Sequence, residues 1–112
     1  MFTDLLESDF TTLTNITLDA DWRPQEWKVD RKTSRGPYGR SMELRNVVSR
    51  PMSDTVGFNN SGLELWARAV EEGGEYVSVA EVDSARSDML YGSFRAGLQT
   101  TAVNGTCTAF FW

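Results

Sequence analysis

Two carboxylates, Glu81 and Asp83, stand two positions apart in the run Ala80-Glu-Val-Asp-Ser-Ala-Arg86. Residues i and i+2 of a strand point to the same face, so the pair could work on one bond as proton donor and nucleophile. Retaining cleavage of a glycosidic bond uses two carboxyl groups roughly 5 to 5.5 Å apart, and strand positions i and i+2 lie about 6.5 to 7 Å apart, a nearly usable spacing. Against this, both groups start at similar acidity, and no apolar run beside them would raise one and spare the other. The plain alternative is two solvated acids at a strand end, the usual situation of Asp and Glu.

Outward aromatics are the second feature, because the C–H faces of sugar rings stack on indole and phenol rings. Trp66 and Tyr91 are the candidates, although aromatics on sandwich strands are more often core residues. Trp22 and Trp27 flank a proline in Asp21-Trp-Arg-Pro-Gln-Glu-Trp27 and could pack a loop or line a groove. Other chemistries lack their residues. The chain has no histidine, which removes Ser-His-Asp and Cys-His mechanisms and the commonest metal ligand. No calcium loop, Cys/His metal set or phosphate-cradling glycine loop is present, so neither a metal nor a cofactor is expected. Sixteen acidic and eleven basic residues give a net charge of -5 without a block of either sign, which speaks against nucleic-acid partners.

The elements that must position these residues read as strands. From Gly62 to Val70, Leu63, Leu65, Ala67 and Ala69 alternate with Glu64, Trp66, Arg68 and Val70, the period of a half-buried strand that turns Trp66 outward. Glu71-Glu-Gly-Gly-Glu75 is a turn signal leading into Tyr76–Asp83, so the two runs form an expected hairpin. A third strand is expected over Leu90–Thr100, with Phe94, Ala96 and Leu98 on one side. After the Asn104-Gly105 turn signal, Cys107–Trp112 is an apolar strand. Leu13–Leu18 and Met42–Val48 are further strands, while residues 31–40 and 51–62 read as loops rich in Gly, Ser and Asn. A chain of 112 residues with 40% hydrophobic content makes one domain over residues 1–112 at most. With no repeat and no long amphipathic helix, an all-β antiparallel sandwich is the expected class.

The lone cysteine, Cys107, reads as a buried thiol or as one half of a bridge to a partner elsewhere. Sequons at Asn15-Ile-Thr, Asn59-Asn-Ser and Asn104-Gly-Thr would accept N-linked glycan in a secreted protein. The opening residues, with Asp4 and Glu7 and no basic group, are unlike a signal peptide. No stretch reaches the ~18 apolar residues of a membrane span, so no membrane partner is expected.

Ala80-Glu81, then Leu90-Tyr-Gly-Ser-Phe-Arg-Ala-Gly-Leu98, then Gly105-Thr-Cys-Thr-Ala-Phe-Phe-Trp112 resemble, in order and spacing, fungal members of glycoside hydrolase family 16, in the concanavalin A-like lectin/glucanase superfamily. The opening Leu5-Leu-Glu-Ser-Asp-Phe10 is similar to the start of the fungal domain. The resemblance implies a jelly roll of two antiparallel sheets, of which this chain is the amino-terminal half. It implies retaining endo-β-glucan hydrolysis or transglycosylation by a secreted or cell-wall parent protein. The family's catalytic signature, Glu-x-Asp-x-x-Glu or Glu-x-Asp-x-Glu, lies on the strand after the Ala-Phe-Phe-Trp segment and is not in this chain. Glu81-Val-Asp83 matches only its first half, since Ala85 and Arg86 stand where the second glutamate belongs, so this chain carries no catalytic residue.

By the same resemblance Glu81 matches a glutamate that accepts hydrogen bonds from sugar hydroxyls. Asp83 stands where the family often has arginine, an acceptor in place of a donor. Tyr91 and Phe110 match structural positions, and Trp112 falls beside the catalytic strand, under the cleft. Glu81, Asp83, Trp66 and Trp112 are thus the expected substrate contacts, with β-glucan as partner. Half a jelly roll leaves strand edges open, which implies weak stability and self-association. The alternative is a non-catalytic, lectin-like β-glucan-binding module.

Overall fold

The computed structural model describes residues 3–53 and 60–111. Its elements are seven short strands and two single 3₁₀ turns, with no α-helix among the described residues. The strands are β1 (Trp22–Pro24), β2 (Trp27–Val29), β3 (Gly39–Met42), β4 (Val47–Arg50), β5 (Gly62–Leu65), β6 (Tyr76–Val79) and β7 (Val82–Ser84). They form three small sheets, β1-β7, β2-β3-β6 and β4-β5. The chain is all-β. Among the described residues no helix is long and apolar enough to cross a membrane.

One pairing departs from the antiparallel expectation: β3 and β6 run parallel, with Gly39 opposite Tyr76 and Met42 opposite Val79. The hairpin expected across Glu71–Glu75 is reduced to a single bridge between Arg68 and Ser78. The turn itself forms, with Gly73 at φ 72°, a backbone region open to glycine at little steric cost. Before that bridge the chain pairs with β4 instead, Leu65 opposite Val47 and Gly62 opposite Arg50. Residues 62–70 therefore change partner partway, from β4 to β6, and do not make one strand. The expected strand Tyr76–Asp83 likewise breaks at Ala80-Glu81, and its second part pairs with β1.

Two more expectations give way. Leu13–Leu18 is not a strand: Asn15 caps a 3₁₀ turn at Ile16–Leu18, its side-chain oxygen accepting from the Thr17 N–H. Ile16 is buried there, and its N–H donates to Ser49 Oγ at 2.8 Å. Met42–Val48 is the end of β3 and the start of β4 joined by a 3₁₀ turn at Leu44–Asn46. The buried apolar residues among those described are Ile16, Met42 and Val47, so the core lies between β3, β4 and the first 3₁₀ turn. Phe10 packs edge-on against Trp22, whose Nε1–H donates to Ser8 Oγ, which ties the opening segment to β1.

Residues 90–111 carry no strand, and all but the half-buried Phe94 are exposed. Neither the strand expected at Leu90–Thr100 nor the one expected at Cys107–Trp112 forms over the described residues. Cys107 is exposed, not buried. The radius of gyration is 15.8 Å, against about 13 Å for a compact chain of this length. The exposed carboxyl-terminal segment has no strand partner, so its N–H and C=O groups are left to water.

Candidate functional site

Pairing register decides which side chains share a face. Lys28 stands opposite Ser41, Gly39 opposite Tyr76, Ser41 opposite Ser78, and Ser78 opposite Arg68. Paired residues project to the same side and alternate along each strand. One face of the β2-β3-β6 sheet therefore presents Lys28, Ser41, Tyr76, Ser78 and Arg68, with Glu43 next along from Ser41. The other presents Trp27, Val29, Arg40, Met42, Val77 and Val79. The face that meets the core is the second, through buried Met42.

Asn46 closes the polar face at its centre and is 0% exposed. Its Nδ2 donates to Ser78 Oγ at 2.8 Å and to the Val79 carbonyl at 2.9 Å. Its Oδ1 accepts from Arg68 Nε at 2.7 Å, and its main-chain carbonyl accepts from the Trp66 N–H at 2.9 Å. A buried amide has to satisfy both ends or bear the desolvation of the unpaired one, and here three partners, two on β6 and one at Arg68, meet it.

Two aromatic rings border this face, each under a cation. The Arg68 guanidinium lies 5.4 Å from the Trp66 ring centroid, and Lys28 Nζ lies 5.0 Å from that of Tyr76. Trp66 is 45% exposed, and its Nε1–H donates to Glu64 Oε2, while Arg50 grips both oxygens of Glu64. One edge of the Tyr76 ring lies against Gly39, where a Cβ would come within 2.7 Å of it and closer still to the Val29 carbonyl. Gly39 is thus what allows β2, β3 and the Tyr76 ring to meet. Beyond Tyr76 the face opens into a shallow cleft lined by Asp30, Arg31, Lys32 and Glu75.

Both carboxylates of the site are kept charged. At Glu43, burial pushes the carboxyl up, but hydrogen bonds from Arg45, Ser78 and Ser41 outweigh it and hold the group below its usual value. At Glu64 the Arg50 hydrogen bonds lower the carboxyl, partial burial opposes them, and the Trp66 indole N–H adds to the lowering. Charged acceptors and two part-exposed rings suit a neutral polyhydroxylated ligand, with Ser41, Asn46 and Ser78 buried beneath them. Neither carboxyl is in the protonated state that a general acid needs near neutral pH.

The expected residues fall in several places. Trp66 is on the site. Counting from the Arg68–Ser78 bridge, Trp66 lies two positions before it and Glu81 three beyond it. In an antiparallel pairing both positions fall toward the same end of β6. Glu81 is half-buried between β6 and β7, and its carbonyl accepts from the Gln25 N–H at 2.9 Å. Asp83 is exposed on β7 opposite Arg23, in the separate β1-β7 ribbon and not on the polar face. Tyr91 is 93% exposed in the strandless segment. Trp112 and Asn59 lie outside the described residues.

Asn15 and Asn104 are both exposed. Asn15 Oδ1 also accepts from the hydroxyl of its own sequon residue Thr17, whereas Asn104 sits on the turn before Gly105, at φ 85°. Among the described residues no group of three or more His, Cys, Asp or Glu comes together to hold a metal ion. Glu43, Asn46 and Tyr76 were not singled out from the sequence. The signal that could have found Glu43 and Tyr76 is the alternation Gly39-x-Ser41-x-Glu43 beside Tyr76-x-Ser78, polar residues at strand spacing, while Asn46, on a 3₁₀ turn, has no such signal. Comparison with known protein families, curated proteins and solved structures finds no match to this chain.

Proposed function

We propose that the chain is the glycan-holding part of a carbohydrate-active protein of the glycoside hydrolase family 16 kind, in which the polar face of β2-β3-β6 takes a β-glucan. In this reading the three small sheets belong to a concanavalin-like jelly roll, and the parent protein works outside the cell or in the cell wall as a retaining endo-β-glucan hydrolase or transglycosylase. This chain binds without cleaving, since no Glu-x-Asp-x-x-Glu or Glu-x-Asp-x-Glu occurs in it. The observation that carries the reading is the exposed, cation-backed Trp66 ring, whose Nε1–H is held by the charged Glu64 carboxylate. Trp66 offers a stacking platform, and Glu43 and Glu81 supply acceptors for hydroxyl groups toward the same end of β6.

The lectin-like module is the second reading, favoured by the lowered pKa values of Glu43 and Glu64, which suit holding more than proton transfer. In either reading the open edges of the three short sheets invite pairing with another copy of the chain. The test is titration with soluble β-glucan followed by tryptophan emission, alongside Trp66→Ala and Glu81→Ala. Saturable binding that both substitutions weaken is expected, with no release of reducing ends. Absence of binding before and after substitution sinks the sugar-site reading, and reducing-end release by the purified chain sinks the non-cleaving one.

A further inference from the structure

We infer that Asn46 is the positioning residue of the Trp66 platform, acting through Arg68; the ligand side of this inference rests on the proposed function. An indole left with rotameric freedom presents a poor stacking surface, because ordering it on binding offsets part of the contact energy. Here the ring is fixed from three directions. Glu64 holds Nε1, the Asn46 carbonyl holds the backbone N–H, and the Arg68 guanidinium covers one face.

Arg68 is exposed overall, and a free arginine would sample many rotamers over water. What sets its plane is the Nε–H bond to Asn46 Oδ1 at 2.7 Å, since the guanidinium is rigid and one fixed N–H fixes the fork. Asn46 can hold that oxygen in place because its own Nδ2 is tied to Ser78 Oγ and the Val79 carbonyl. A chain of contacts thus runs from the β6 backbone through a fully buried amide to the cation behind the exposed ring. The amide touches no solvent and so contacts no ligand itself. Its effect on binding comes from keeping the ring and its cation pre-arranged.

The experiment is a cycle of Asn46→Ala, Arg68→Met and the double variant. It is read by the Trp66 indole N–H resonance, identified as the one lost in Trp66→Phe, and by affinity for soluble β-glucan. Each single variant is expected to shift that resonance and to weaken binding roughly tenfold. The double variant is expected to be no weaker than the singles, because both substitutions interrupt one path. A folded Asn46→Ala chain with an unmoved indole resonance, or losses that add in the double variant, overturns the inference. Should Asn46→Ala not fold, an unmoved resonance in Arg68→Met overturns it instead. Absence of glucan binding by the unsubstituted chain defeats the proposed function, while the indole shift still decides whether Asn46 positions the ring.

Discussion

Residues 16–84 and residues 90–111 have similar alternating patterns and opposite outcomes. In the first region Ser41, between Lys28 and Ser78, and Ser78, between Ser41 and Arg68, each have a strand partner on both sides. In the second, Phe94, Ala96 and Leu98 keep the same two-residue period, yet no strand forms and Leu98 and Val103 are exposed. The difference teaches that period alone does not make a strand. A strand exists when a neighbouring chain accepts its ladder of hydrogen bonds, and residues 90–111 have no such ladder. Burial follows the pairing: serines between paired strands are covered, while Phe110 and Phe111 outside them are not.

Substitution of matched pairs, one member in each region, would break this contrast or sharpen it. The largest expected effect is Ile16→Ala, which empties a position 2% exposed beneath β4 and should cost about 3 kcal/mol in a urea melt. Leu98→Ala, at 59% exposure, should stay within about 0.5 kcal/mol. Equal effects would mean that the two regions share one core. Gly39→Val comes next, because its Cβ would overlap the Val29 carbonyl and the Tyr76 ring, a backbone clash worth about 2 kcal/mol. Gly97, with nothing within 4 Å of its Cβ position, should accept valine with a change under about 0.5 kcal/mol.

A smaller effect comes from acid. Glu43 and Glu64 have folded pKa values below the usual 4.5, so the unfolded chain takes up their protons first on acidification. Their contribution is fully present above 4.5 and is lost as pH falls through the lower folded values. Trp66 emission should hold steady from neutral pH down to that range and change below it, whereas Tyr91 emission in the other region should not follow. Smallest of all, Asp83→Asn on the exposed β7 ribbon should move the urea midpoint by an amount equivalent to less than about 0.5 kcal/mol. A larger loss would show that the Arg23–Asp83 pairing belongs to the core sheets.

The sequence alone determined the all-β class, the turn at Glu71–Glu75 and most of the loop expected at residues 31–40, whose last two positions instead open β3. Each of these follows from local chemistry: alternation, paired glycines, and a run broken by Gly36, Pro37 and Gly39, whereas the inward side expected for Leu65 is not kept, since it is 49% exposed against 45% for Trp66. The sequence also shows directly that the chain has no histidine. Only the tertiary structure decided that residues 62–70 divide between β4 and β6, that β3 and β6 run parallel, and that the run from Tyr76 to Asp83 breaks at Glu81. It alone brought Asn46 under Arg68 and Trp66, residues about twenty positions away, and moved Asp83 off the polar face. These are choices of partner, and a strand's own residues specify which side is apolar but not which neighbour will complete its hydrogen bonds.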